Sequence, residues 1–264
     1  MEVHHHSHHP KKWKEYITEF LMLFLAVSLG FLAENIRESY VEKERAHELL
    51  QSFMNDVTVN VRLLDSLIEG NRKMVMKNDS SLIYLMTNKE VDLDTLYNFL
   101  PLQSFRYLNN NETYDQMKSS GSLRYIKDTN LLKEIINYNN ISKATEFRSV
   151  SQEADYVGHE YTNTVQSWMP AEISIARHTG LYINRTDYKA LMNNPKDAKL
   201  IGDLHKLTLN KKNIVSGNDL IKLRKELIPV ITRKVSLVSG SEVFMIKTKQ
   251  QGKVLLAYFK NHKE

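Results

Sequence analysis

From Phe20 to Ala33 the chain carries no charged residue, and this run, FLMLFLAVSLGFLA, constrains everything that follows it. Extended as a helix from Tyr16 to Ile36 it makes about 21 residues, close to the ~20 that cross ~30 Å of hydrocarbon. Trp13 and Tyr16 stand where interfacial aromatics belong, and Phe20, Leu21, Phe24, Leu25, Leu29, Phe31 and Leu32 supply the lipid-facing surface. Glu19 lies about one turn inside, within reach of headgroups or of the Lys12 and Lys14 ammonium groups. The expected layout is a His-rich basic tail over 1–15, a transmembrane helix over 16–36 and a helical extramembrane domain over 37–264. A cleavable signal peptide is the competing reading, because Ser28-Leu29-Gly30 offers small residues at a cleavage spacing. On the near flanks Lys12 and Lys14 stand against Arg37 alone, which keeps the short tail inside and sends the domain outside.

Beyond the span, Ile36, Tyr40, Ala46, Leu50, Phe53, Val57, Leu64 and Leu67 recur mostly at steps of three and four, the period of a helix with one buried stripe. The helix therefore continues out of the membrane. Leu50, Phe53, Val57, Leu64 and Leu67 form an association stripe that needs a partner, either later helices of the same chain or another subunit in a coiled coil. Residues 80–88 and 94–100 read as shorter helices. Gly121 closes a helical turn over 113–118, and Asp128 caps the next helix. Apolar positions from Leu131 to Trp168 then keep helical spacing for about 40 residues, until Pro170 stops them. Asn218 starts a helix through Leu220, Leu223, Leu227 and Ile231, which Pro229 kinks or divides. Residues 243–249 and 253–259 flank Gln250-Gln251-Gly252; they read either as a small C-terminal β-hairpin or as a final helix, the helix suiting the surroundings better. The fold class expected is all-α: one N-terminal transmembrane helix continuing into a bundle of long helices, with that hairpin as the open alternative.

Only five Pro and nine Gly in 264 residues favour long helices over a sandwich of many strands. The absence of Cys excludes disulfides, thiolate metal sites, iron–sulfur clusters and a cysteine nucleophile. The net charge of +5 is unevenly spread: from Lys199 to the end there are 14 Lys or Arg against 5 Asp or Glu. Those lysines are scattered over several predicted helices and match no nucleic-acid module, so no nucleic-acid partner is expected.

The stretches MEVHHH, KKW and FLMLFLAVSLGFLAENIRE, and later TYDQMKSSGSLRYIKDTNLLKEIINY, resemble a family of uncharacterised bacterial single-span envelope proteins. The resemblance covers about a quarter of the chain. It implies a membrane-anchored helical domain in a Gram-negative envelope; with the orientation set by the charged flanks, the expected location is the inner membrane, single-pass, with the bulk of the chain periplasmic. It carries over no activity, cofactor or catalytic residue.

His4, His5, His6, His8 and His9 are the one ligand-rich stretch, and neutral imidazole binds zinc, nickel and copper well. No carboxylate or further His is fixed beside them to complete a shell, so adventitious zinc or nickel is expected there and no physiological cofactor. His47, His159, His178, His205 and His262 have no metal spacing. Ser119-Ser120-Gly121-Ser122 lacks the surroundings of a nucleophile elbow or a phosphate loop and reads as a helix-joining turn. No catalytic constellation emerges. The function expected is a non-enzymatic structural or accessory subunit, bound to the lipid bilayer and associating through its helices with itself or with a larger membrane complex. The alternative is a membrane-tethered ligand-binding or sensory domain that signals through a partner.

Overall fold

A computed structural model describes residues 12–102, 105–183, 186–207 and 212–261. Helix α1, Trp13–Thr87, is one uninterrupted element of 75 residues, about 110 Å long at the usual rise per residue. The reason for its length lies in a strict seven-residue repeat. Leu50, Val57, Leu64, Asn71, Asn78 and Leu85 form one buried row, and Ala46, Phe53, Asn60, Leu67, Met74 and Ser81 the other. The separate helix expected over 80–88 is thereby corrected. Asn71, Asn78 and Ser81 occupy core positions of the same helix, where their polarity disguised the repeat. Two of them satisfy themselves locally: Asn78 Nδ2 donates to the Met74 carbonyl at 2.8 Å and Ser81 Oγ to the Asn78 carbonyl at 2.6 Å.

After α1 come β1 (Glu90–Asp92), α2 (Leu93–Phe99), α3 (Glu112–Ser119), a 3₁₀ turn (Ser122–Tyr125) and α4 (Thr129–Phe147). The helix begun by α4 runs on through π-helical Arg148–Ala154 and Val157–Tyr161 into α5 (Thr162–Ser167), so the long helix expected from Leu131 to Trp168 contains two widened stretches. Then follow α6 (Ala171–Ile183), α7 (Tyr188–Asn193), α8 (Pro195–Lys206), β2 (Ile214–Ser216) and α9 (Gly217–Asn261). The strands form an antiparallel pair that the sequence did not announce, with Glu90 opposite Ser216, Val91 opposite Val215 and Asp92 opposite Ile214. Three residues per strand leave too little alternation to read.

The C-terminal hairpin considered for residues 243–259 does not form; α9 is helical throughout, past Pro229 and past Gly252. Gly252 is a contact residue, not a turn residue. A Cβ there would lie 2.6 Å from Val61 Cγ2 and 3.1 Å from Tyr138 Cε2, so the missing side chain lets α9 approach α1 and α4 closely.

Contacts divide the chain into two units. One comprises the chain up to Asn55 together with Glu112–Leu132. In it the Phe53 and Tyr114 rings meet at 5.9 Å, Gly121 takes φ 72° after α3, and Asp128 Oδ1 accepts from the Asn130 and Leu131 amides to cap α4, as its sequence suggested. The other unit comprises Asp56–Asn111 and Lys133–Glu264. Its larger apolar core gathers Leu85, Leu96, Leu100, Val157, Tyr161, Val165, Leu223, Leu227 and Ile231. Arg224 of α9 donates to the Leu85 and Asn88 carbonyls, each at 2.7 Å, which satisfies acceptors left over at the end of α1.

Candidate functional site: a buried charge pair in a polar core

The middle of the second unit is polar where a helical bundle is ordinarily greasy. On α9, Leu220, Leu227, Lys234, Ser241, Thr248 and Leu255 follow one another at seven-residue spacing, all buried, with apolar residues only at the ends. From α4 and the adjoining π-helical turn, Ser142, Thr145, Ser149 and Glu153 are also buried. Hydroxyls pair across the core: Thr145 with Thr248 at 2.7 Å, and Tyr107 with Ser142 at 2.6 Å. Ser149 Oγ accepts from the Tyr107 amide at 3.0 Å and donates to the Tyr107 carbonyl at 3.2 Å, pinning the loop after α2 to the first π-helical stretch.

Two members of this core, Glu153 and Lys234, carry a carboxyl and an amine with no exposure at all. Lys234 Nζ donates to the Pro101 carbonyl and lies 4.0 Å above the centre of the Tyr161 ring, both suitable surroundings for a cation. Glu153 is less well provided. Among the described residues neither carboxylate oxygen has a partner at full hydrogen-bonding geometry. Burial pushes the Glu153 carboxyl up to about 7; the Ser241 hydroxyl and then the Lys234 charge pull it down by less. Burial likewise pushes the Lys234 ammonium down to about 7, with the Glu153 charge opposing.

Around the pair, Tyr97 Oη donates to the Val165 carbonyl at 2.5 Å, and Arg177 of α6 donates to the Tyr97 carbonyl while stacking 5.4 Å over the Tyr97 ring. Tyr161 Oη reaches Asn78 Oδ1 at 3.4 Å. Burial raises both phenols above their ordinary range. On the outer side of the π-helical stretches lies an open groove of about 620 Å³, lined by Arg106, Val150, Ser151, Ala154, Asp155, Gly158 and His159. A second groove, about 430 Å³, is lined by Asp65, Glu69, Arg72, Lys249 and Lys253 with Ile68, Ile246 and Gln250.

Of the residues singled out in the sequence, Leu220 and Leu227 join the buried row of α9, and Leu64 and Leu67 pack with Tyr107 and Met245. Leu50, Phe53, Val57, Leu64 and Leu67 are all buried within the chain, the first of the two partners the stripe left open. Trp13, Tyr16, Phe20, Leu21, Phe24, Leu25, Leu29, Phe31 and Leu32 are all exposed along α1. His4, His5, His6, His8 and His9 lie outside the described residues. Among the described residues no group of three or more His, Asp or Glu could hold a metal ion.

Glu153 and Lys234 escaped the sequence reading, although a signal was present. Glu153 lies three residues after Val150 and four before Val157, and Lys234 three after Ile231 and four before Val238, so each charge occupies a position of the buried stripe. Comparison with known protein families, with curated proteins and with solved structures finds no match for this chain.

Proposed function

We propose that this chain is a single-pass membrane protein whose helical domain serves as a structural or accessory subunit of the bacterial envelope. One observation carries the reading. Helix α1 holds a segment long and apolar enough to cross a membrane, none of that segment is buried in the protein, and the same unbroken helix supplies buried core positions from Ala46 onward. A core helix of a water-soluble domain buries such a segment; here a bilayer is the natural solvent for it. The basic flank before Trp13 and the resemblance to single-span envelope proteins favour a cytoplasmic tail and a periplasmic domain. A structural role suits the interior, because the most perturbed ionisable pair is sealed from any substrate.

The test is extraction. The chain should stay in the membrane fraction through alkaline carbonate wash, and Leu25→Arg together with Leu29→Arg, at the centre of the span, should release it. After gentle solubilisation it should run as a defined oligomer or with a fixed stoichiometric partner. Release of the unaltered chain by carbonate overturns the anchor, and a strictly monomeric particle overturns the accessory role.

The second reading, a tethered ligand-binding or sensory domain, is favoured by the groove beside the π-helical stretches, where Arg106, Asp155 and His159 converge with the Ser151 hydroxyl.

A further inference from the structure

We infer that the buried Glu153–Lys234 pair and the π-helical turns around it form a proton-controlled switch, in which ionisation of Glu153 opens the helix over residues 148–161. The inference is independent of the membrane reading.

The geometry makes the two partners unequal. Lys234 has a carbonyl oxygen and a ring face to receive its charge, whereas Glu153 is fully buried with neither oxygen properly partnered among the described residues. A protonated carboxyl is tolerable in that place and a carboxylate is costly. Among the described residues the groups facing the pair are few. From α9 come Lys234 itself and the Ser241 hydroxyl, and from the second π-helical stretch the Tyr161 ring, which has Arg177 of α6, Tyr156 and Tyr97 of α2 near it. Of these groups Glu153 alone is a carboxylate, and Ser241 is the hydroxyl that favours an ionised Glu153.

The surrounding backbone is suited to move. π-Helical turns are rare, and two in succession interrupt a helix whose neighbours α4 and α5 are regular. Their hold is partly borrowed from side chains: the Thr162 hydroxyl donates to the Val157 carbonyl five residues back, and Ser149 ties the first stretch to Tyr107. The outer face is already bordered by the open groove at Val150, Ser151 and Gly158, through which water can enter when the turn loosens. Opening hydrates the carboxylate and returns it to an ordinary acidity, so proton loss and opening favour each other. Because the Lys234 charge lowers the Glu153 carboxyl, it also sets the pH at which this happens.

Amide hydrogen exchange of the full solubilised chain tests the switch, followed by mass spectrometry and corrected for the intrinsic pH dependence of exchange. Protection over residues 148–161 should fall about ten-fold between pH 5 and pH 6.5, where Lys234 is charged whether the helix is closed or open, as expected for a carboxyl near 7 when closed and near 4.5 when open. Glu153→Gln should abolish that change, and Lys234→Met should move it to higher pH. Helix content by circular dichroism identifies a variant that has lost the fold; should Glu153→Gln do so, the upward shift in Lys234→Met decides. Protection that is the same at both pH values in the wild type, or a pH dependence undiminished in folded Glu153→Gln or unmoved in folded Lys234→Met, overturns the inference.

Discussion

At the scale of single residues, Glu153 and Lys234 make stability depend on pH in opposite senses. Glu153 is raised from 4.5 to about 7 in the folded chain. The stability it confers is fully present below pH 4.5 and is lost as pH rises through 7. Lys234 is lowered from 10.5 to about 7, so its contribution is present above pH 10.5 and is lost as pH falls towards 7. Together they place their combined minimum near neutrality. Chemical denaturation across pH should show the acid-side rise diminished in Glu153→Gln and the alkaline-side rise diminished in Lys234→Met. Replacing both, as Glu153→Leu with Lys234→Met, should give a chain about 3–5 kcal/mol more stable than either single replacement, because each single change strands the other polar group. Gly252→Ala should cost about 1–3 kcal/mol, since its new methyl would meet Val61 at 2.6 Å. These residues differ in how legible they were. Glu153 and Lys234 could have been marked by their places on apolar stripes. Gly252 could not, because a glycine that opens a turn and one that admits a neighbouring helix look alike in sequence.

At the scale of elements, α1 shows why the helix was readable and its extent was not. Its seven-residue repeat is visible while the buried positions are Leu50, Phe53, Val57, Leu64 and Leu67, and it fades where Asn71, Asn78 and Ser81 take over. Hydropathy reports transfer from water and does not register that Asn78 and Ser81 hydrogen-bond carbonyls of their own helix. Asn71 is the least satisfied of them: its Nδ2 finds the Met245 sulfur at 3.5 Å, and its Oδ1 has no partner among the described residues. Asn71→Leu should therefore stabilise the domain by about 1–2 kcal/mol, measured by denaturant unfolding. Arg224→Ala should act oppositely and fray the end of α1, with faster amide exchange over 84–88, because it frees the Leu85 and Asn88 carbonyls. The π-helical stretches had no sequence signature. The apolar spacing through Val150, Ala154, Val157 and Tyr161 is compatible with an ordinary helix and does not mark the widening.

At the scale of the whole molecule, the chain joins a His-rich tail, an exposed apolar helix and a domain with a polar interior. The five imidazoles at His4, His5, His6, His8 and His9 should retain the unaltered chain on a nickel resin, with binding lost as pH falls below their ordinary ~6.5. Replacing all five by Ala should abolish retention and leave the melting of the domain unchanged. The proposed arrangement puts the tail and the domain on opposite sides of a membrane, and protease accessibility in spheroplasts measures that most directly. With an epitope fused before Met1, external protease should digest the domain and spare the epitope with its span. A domain that stays intact until the cells are lysed, or an epitope lost together with the domain, would contradict the arrangement.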